Sequence, residues 1–324
     1  MDVKILITGG AGYVGKNLIE FLVKKKIKNI HVFDKAKKPN LFFFKEVKYF
    51  KLDLLNKFRL KKEINKIKPQ IIIHLAALIS VTDSNKFKKK YFSNNFLVTK
   101  NLYNFSKSFL KYFIFSSSAA VYQSHDNKIA EDSKKVPANY YGSTKLLSES
   151  FLKKQFKKKK VKIGILRFFN ISGSNLKLSI TQSKHSNAII PSICKCIILR
   201  KKLNIYGTDK KSKLTAIRDY IHILDIINII YKVMNYLKMN KKNLILNCCS
   251  GVGVSIMELI KKFENITKKK IKYSIKKGRI GEQFFFVGNN NRLKKILNYN
   301  IKYNLNKIIK STFDGYKNLF KKYK

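Results

Sequence analysis

Tyr141 and Lys145 stand four residues apart in the run Y-G-S-T-K, and Ser118 closes a run of three serines 23 residues before Tyr141. On a helix that spacing puts the phenol and the ammonium on one face. A tyrosine so placed can serve as a base near neutral pH when neighbouring cations lower its pKa, and a serine hydroxyl can bond the oxygen that gives up its proton. This is the equipment for taking a proton from a carbinol while its hydride leaves. The spacing alone selects nothing here. The chain holds 17 Tyr and 64 Lys, and Tyr-x-x-x-Lys also begins at Tyr103, Tyr206, Tyr273 and Tyr303. Context separates Tyr141 from these: Pro137 and Asn139 supply helix-entry residues. Ser118 follows the apolar run Y-F-I-F, at the carboxyl end of a strand, where ligands of parallel sheets bind.

The scarce residues are more telling. Of 14 Gly in the chain, four fall between positions 9 and 15, in T-G-G-A-G-Y-V-G. Gly9, Gly12 and Gly15 follow a strand and open a helix, the arrangement that lets backbone approach a pyrophosphate at a helix N-terminus. Asp34, one of only 18 acidic residues, ends the next strand. A carboxylate there accepts from ribose hydroxyls and repels a 2′-phosphate, so NAD is expected rather than NADP. Asp53, in K-L-D-L-L, suits an adenine amino group, and an exposed loop carboxylate is the alternative.

The elements that must carry these residues alternate. Lys4 to Thr8, Asn29 to Asp34, Ile71 to Leu75, Tyr112 to Ser116 and Val161 to Phe168 read as buried strands. Helical patterns lie near 13–26, 56–67, 94–110 and 139–158. Strand followed by helix, repeated, predicts an α/β chain with a Rossmann-type, doubly wound parallel sheet. Beyond residue 170 the pattern turns irregular, with a loop near 172–187 and a helix near 188–200. The 324 residues therefore divide into an NAD-binding domain over about 1–170 and a smaller α/β substrate lobe over about 171–324, with room for the chain to cross back.

Composition narrows the function classes. Lys plus Arg number 70 against 18 acids, a formal charge of +52. Only six of the bases are Arg and the Lys are dispersed through every segment, which fits compositional drift better than a nucleic-acid surface. Cys194, Cys196, Cys248 and Cys249 lack metal-ligand spacing and read as reduced core thiols, and no metal is expected. No apolar run reaches the roughly 18 residues of a membrane span. A soluble, cytoplasmic protein is expected.

The motifs T-G-G-A-G-Y-V-G, S-S-S-A-A-V-Y, Y-G-S-T-K, L-R-F-F-N and I-R-D-Y-I-H-I-L-D occur in order, and together the chain resembles the extended short-chain dehydrogenase/reductases, in particular their nucleotide-sugar 4-epimerases. The resemblance spans nearly the whole chain. It implies a bound NAD that is not consumed, with Tyr141 taking the proton of the sugar 4-hydroxyl, Lys145 lowering its pKa and Ser118 bonding the reacting oxygen. Cofactor contacts implied are Gly9, Gly12, Tyr13, Val14, Gly15, Asp34, Asp53, Leu54, Ala76, Asn95 and Phe168, besides Tyr141 and Lys145. On the UDP-sugar side the resemblance implies Asn170, Tyr206, Arg218 and Arg279. Two of these are among only six Arg, fit for a diphosphate that favours permanently charged, bidentate partners; surface charge or pairing with the adjacent Asp219 is the alternative for Arg218.

Related 4,6-dehydratases carry Thr-Asp-Glu where this chain has Ser118, Ala119 and Ala120, so elimination of water lacks its acid pair. Phe286 matches a position bounding the sugar pocket in the family, where a bulky ring disfavours an N-acetyl group; a core Phe is the equal alternative. The expected activity is interconversion of UDP-galactose and UDP-glucose through a 4-keto intermediate. UDP-N-acetylglucosamine or UDP-glucuronate is the competing substrate, and a basic, non-enzymatic binding protein is the competing class. Family members pair as homodimers through helices here matching 94–110 and 139–158.

Overall fold

The computed structural model describes residues 3–37, 44–123, 127–158, 160–178, 180–206, 215–240, 242–276 and 284–321. Its first elements are β1 (Ile5–Thr8), α1 (Tyr13–Lys24), β2 (Ile30–Asp34), β3 (Val47–Lys51), α2 (Lys57–Ile67) and β4 (Ile71–His74). Two short helices follow, α3 (Val81–Lys86) and α4 (Lys88–Tyr91), and a π-helical turn (Phe92–Leu97) leads into α5 (Val98–Ser106). Then come β5 (Tyr112–Ser118), α6 (Tyr140–Phe156) and β6 (Lys162–Phe168).

Later elements are β7 (Asn170–Ser172), α7 (Ile189–Ile198), β8 (Leu203–Tyr206), β9 (Ile217–His222), α8 (Ile223–Asn240), β10 (Leu244–Cys248) and β11 (Gly253–Ser255). The chain ends with α9 (Ile256–Thr267), β12 (Tyr273–Lys276), β13 (Phe285–Phe286), α10 (Asn291–Leu297) and α11 (Leu305–Lys321).

Two compact units result. The first takes in residues 1–123, 134–168 and 229–246, the second 124–133, 169–228 and 247–324. The first is built on a seven-stranded sheet in the order β10-β6-β5-β4-β1-β2-β3, parallel at every pairing from β3 to β6. Strand order reverses between β1 and β4, and ligands of such sheets bind beyond the carboxyl ends of the strands at that point. Residues of β1 and β4 are wholly buried, which explains why both read as unbroken apolar runs. The chain returns to this unit through α8 and β10. Gly164 of β6 marks the contact, since a Cβ there would lie 2.9 Å from Cγ1 of Val233 on α8.

The second unit holds a small mixed sheet centred on β9, which is antiparallel to β11 and parallel to β7 and β13. Beside it lies a parallel pair, β8 with β12. Its core is the apolar faces of α7, α9 and α11, including Ile193, Phe263, Ile309 and Tyr316. Both acids of I-R-D-Y-I-H-I-L-D serve this interior. Asp225 accepts from the Tyr299 hydroxyl at 2.6 Å and from the Lys302 and Tyr303 amides. Asp219 accepts from the amides of Ser250 and Gly251, and burial pushes its carboxyl up to about 6.

Candidate active site

The carboxyl ends of β1, β4 and β5 carry the candidate groups of the first unit. After β1 the chain turns at Gly9, in the left-handed region at φ +75°, and a side chain there would meet the Ala76 amide at 2.7 Å. Gly9 and Ala76 are thus in contact because neither loop can thicken. No side chain caps α1 at Gly12 and no acid lies in its first turn, so its leading N–H groups and positive dipole end suit an anion. Tyr13 and Val14, half-buried, open that helix. Asp34 closes β2, accepting from the Ala11 amide at 2.9 Å and the Ala36 amide at 3.0 Å. The carboxylate thereby stands against the glycine loop, where it also holds a charge facing Lys16. These residues fit a dinucleotide: a thin anion-ready turn, with a carboxylate at the end of the neighbouring strand.

Asp53 is exposed and folds onto its own backbone, accepting from the Leu55 amide at 3.0 Å. Leu54 points into the core with Leu52 and Leu60. Asn95 is buried in the π-helical turn, and its amide is engaged within the protein. It accepts from the Leu78 amide at 2.9 Å and donates to the Leu78 carbonyl at 3.0 Å and to Oγ1 of Thr144 at 3.1 Å. The wider turn divides the helix expected over 94–110, and its side chain ties the loop after β4 to α6.

His74 completes that tie. Its Nδ1 lies 2.6 Å from Oγ1 of Thr8 and its Nε2 lies 3.0 Å from Oγ1 of Thr99. Thr99 donates to the Asn95 carbonyl, so Nε2 carries the imidazole proton and Nδ1 accepts. Burial, with Lys145 nearby, pushes His74 down to about 3. In the unfolded chain it titrates near 6.5, so the unfolded state binds the extra proton as pH falls from 6.5 towards 3, and stability is lost across that window. At about 1.4 kcal/mol per pKa unit the loss amounts to several kcal/mol. Urea midpoints at about pH 7 and pH 4.5 should fall further apart for the wild type than for His74→Gln.

Ser118, Tyr141 and Lys145 come together. The Ser118 hydroxyl accepts from the Ala120 amide at 3.1 Å and bonds the Tyr141 phenol. Asn139 caps α6 by accepting from the Gly142 amide at 2.9 Å, which starts the helix at the right place to present Tyr141. Lys145, 2% exposed, donates to the Ser116 carbonyl at 2.7 Å, 6.0 Å from the Tyr141 ring centre. Burial pushes the phenol up to about 12 against the pull of Ser118. Burial also pushes the lysine down to about 7, against the pull of Glu149. Phe168 pairs with Ser118 in the sheet register. The other spacing matches differ: Tyr103 is a core ring against Phe113, and Tyr303 stacks on His222 at 4.4 Å.

Three residues without a role in the sequence reading lie beneath this group. Glu149 and Arg167 form a buried bidentate pair, Nε to Oε1 at 2.8 Å and the second nitrogen to Oε2 at 2.6 Å, and Arg167 also donates to the Tyr122 hydroxyl. The signal was present: Glu149 continues the face of Tyr141 and Lys145 one turn on, and Arg167 is one of six Arg.

In the second unit, Asn170, Arg218 and Phe286 share the small sheet. Asn170 is exposed on β7 and donates to the Asp219 carbonyl at 2.8 Å. Arg218 donates to the carbonyls of Ile217 and Phe284, each at 3.0 Å, and pairs in register with Phe286. Asp219 turns instead to the 250–251 turn, so the adjacent carboxylate is engaged elsewhere. Phe286 is 8% exposed and packs on Phe169. Tyr206 ends β8, opposite Lys276. Arg279 lies outside the described residues.

Residues 5–249 match the model of the NAD dependent epimerase/dehydratase family. The chain belongs to that family. The family is NAD-dependent, as the glycine turn and Asp34 anticipate. Among curated relatives, the chain is 30% identical to the UDP-glucose 4-epimerase of Rhizobium meliloti over 315 residues, 96% of each chain. It is also 30% identical to that of Mycoplasma genitalium, over 98% of this chain and 97% of the relative. Among solved structures, it is 31% identical to the UDP-Glc/GlcNAc 4-epimerase of Campylobacter jejuni, with TM-score 0.82 over 98% of this chain and 99% of that one. An NAD complex of UDP-glucose 4-epimerase from Brucella ovis gives 26% identity and TM-score 0.88, over 96% and 98% of the two chains. The chain is an NAD-dependent epimerase/dehydratase family enzyme with the α/β architecture of these structures, and among its described residues no helix is long and apolar enough to cross a membrane.

Proposed function

We propose that the chain is a UDP-sugar 4-epimerase that interconverts UDP-galactose and UDP-glucose and keeps its NAD. The observation that carries this is the joined Ser118, Tyr141 and Lys145 group at the carboxyl end of β5, followed by Ala119 and Ala120 rather than by acids. Tyr141 takes the 4-hydroxyl proton and later returns it. Ser118 holds the reacting oxygen, and Lys145 provides the cation that makes the phenolate accessible. Bound nicotinamide supplies a reversible acceptor for the C4 hydride. Because Ala119 and Ala120 can neither donate nor accept a proton, a neighbouring hydroxyl has no acid to expel it, and the keto sugar can only be reduced again.

Gly9, Gly12, Tyr13, Val14, Gly15, Asp34, Asp53, Leu54, Ala76, Asn95 and Phe168 are the proposed cofactor contacts, Asn95 acting through the loop it clamps. Asn170, Tyr206, Arg218, Arg279 and Phe286 are the proposed UDP-sugar contacts, and the Phe286 ring favours a 2-hydroxyl over an N-acetyl group. Relatives that carry the same activity at about 30% identity support the choice of substrate. A homodimer through α5 and α6 fits Leu147, which is 42% exposed on α6, and the free thiols of Cys194, Cys196, Cys248 and Cys249 fit a cytoplasmic setting.

The purified protein should convert UDP-galactose to UDP-glucose in an assay coupled to a UDP-glucose dehydrogenase. Turnover of UDP-N-acetylglucosamine or UDP-glucuronate with none of UDP-galactose would replace the substrate assignment. Salt-sensitive RNA binding with no turnover of any sugar would replace the enzyme reading itself.

A further inference from the structure

The three consecutive serines after the β5 run have three different partners. Ser116 donates its hydroxyl to the His74 carbonyl and lends its own carbonyl to Lys145. Ser118 meets Tyr141. Ser117 turns inward and donates to Oε1 of Glu149 at 2.6 Å. The same carboxylate takes both Arg167 bonds, so three donors fix it, and it is wholly buried together with Arg167. A bare ion pair could hold the sheet and helix together without any link to chemistry. Here the carboxylate sits one turn beyond Lys145 on α6, and both are anchored to successive residues of β5, Lys145 to Ser116 and Glu149 to Ser117.

We propose that Glu149 is a positioning residue for the Tyr141 and Lys145 pair: its carboxylate, clamped by Arg167 and Ser117, supplies the fixed negative charge that keeps Lys145 cationic on the Ser116 carbonyl. The inference rests on reading Tyr141 as the base. His74 on β4 is held neutral by burial and adds no charge. Arg167 on β6 is engaged by Glu149 and Tyr122, and its guanidinium is held above its ordinary range because these two partners outweigh the cost of burial. Tyr91 on α4 faces Tyr141 and is pushed up by burial. Lys153, 3.9 Å from Oε2 of Glu149, is half-exposed, and Lys135 lies over the Tyr122 ring, 6.0 Å from its centre. Glu149 is the anion that opposes the desolvation of Lys145.

The test follows Lys145 directly. In protein carrying 13C at lysine Cε, Lys145 should titrate near 7, apart from the bulk of the lysines, and its resonance is assigned by its loss in Lys145→Met. Glu149→Gln should move that midpoint down by about one unit or more, whereas Glu149→Asp should restore most of it. Because Glu149→Gln leaves Arg167 buried without its partner, the double variant Glu149→Gln with Arg167→Met removes both charges and should still show a downward move in a folded protein, smaller by the repulsion that Arg167 contributes. In each variant the alkaline limb of kcat/KM with UDP-galactose should move down in step with the Lys145 midpoint. An unchanged Lys145 midpoint in the folded double variant overturns the proposal, whatever the turnover. A wild type inactive on every UDP-sugar overturns the proposed function instead and leaves the titration to decide the place of Glu149.

Discussion

Tyr141→Phe is expected to lower kcat for UDP-galactose by about 10³-fold or more while the protein stays folded and keeps its NAD. Only the phenol oxygen is lost. The ring, the capped start of α6 and the Lys145 bond to Ser116 do not depend on it. The phenol sits near 12 in the protein because burial dominates, so at neutral pH it is a poor base until cations draw it down. Bound nicotinamide and charged Lys145 act in that direction. A difference titration, wild type minus Tyr141→Phe, should therefore find the phenol at lower pH with NAD than without it. Turnover within tenfold of wild type in the Phe variant would remove Tyr141 as the base.

The second large effect comes from a residue with no functional group. Gly142 lies in the first turn of α6, and a Cβ there would overlap the Ala120 carbonyl oxygen and press on Cβ of Pro137 at 3.0 Å. Neither obstacle is the free end of a flexible side chain. Ala is the better helix former by about 1 kcal/mol, so Gly142→Ala gains locally while it pushes the turn carrying Tyr141 away from the turn that begins at Ser118. Misplacement by about 1 Å is worth roughly 100-fold in rate. The variant should keep its helix content by circular dichroism, bind NAD normally and lose about two orders of magnitude in kcat. Loss of NAD with kcat preserved in the loaded fraction would show that the contact serves the cofactor rather than the base.

These two predictions mark the division between what the chain announces and what the fold adds. Tyr141, Lys145 and Ser118 were legible because strand and helix periodicities place them at one end of one sheet, even though the Tyr/Lys spacing was noise at this lysine content. The glycine turn and Asp34 were legible because such residues are scarce here, and their physical task, thin backbone and a carboxylate at a strand end, is local. The tight approach of Gly142 to Ala120 was not legible, because it depends on where two segments some twenty residues apart meet. For Asn95 the family resemblance implies a cofactor contact. That its amide is engaged by Leu78 and Thr144 follows from the π-helical turn, which no periodicity announces.

The charge history is similar. A formal +52 invites a polyanion, yet the charges gathered beside Tyr141 are few and buried: Lys145, Glu149 and Arg167. Sequence alone determined the parallel sheet, the cofactor class and the family, because these rest on patterns of period two and 3.6, on local backbone needs at the glycine turn, and on motifs whose order can be read along the chain. Only the tertiary structure decided that three adjacent serines serve three masters and that Glu149 lies clamped beneath Lys145. Burial and pairing across strands set the protonation of those groups, and neither is a property of neighbouring residues in the chain.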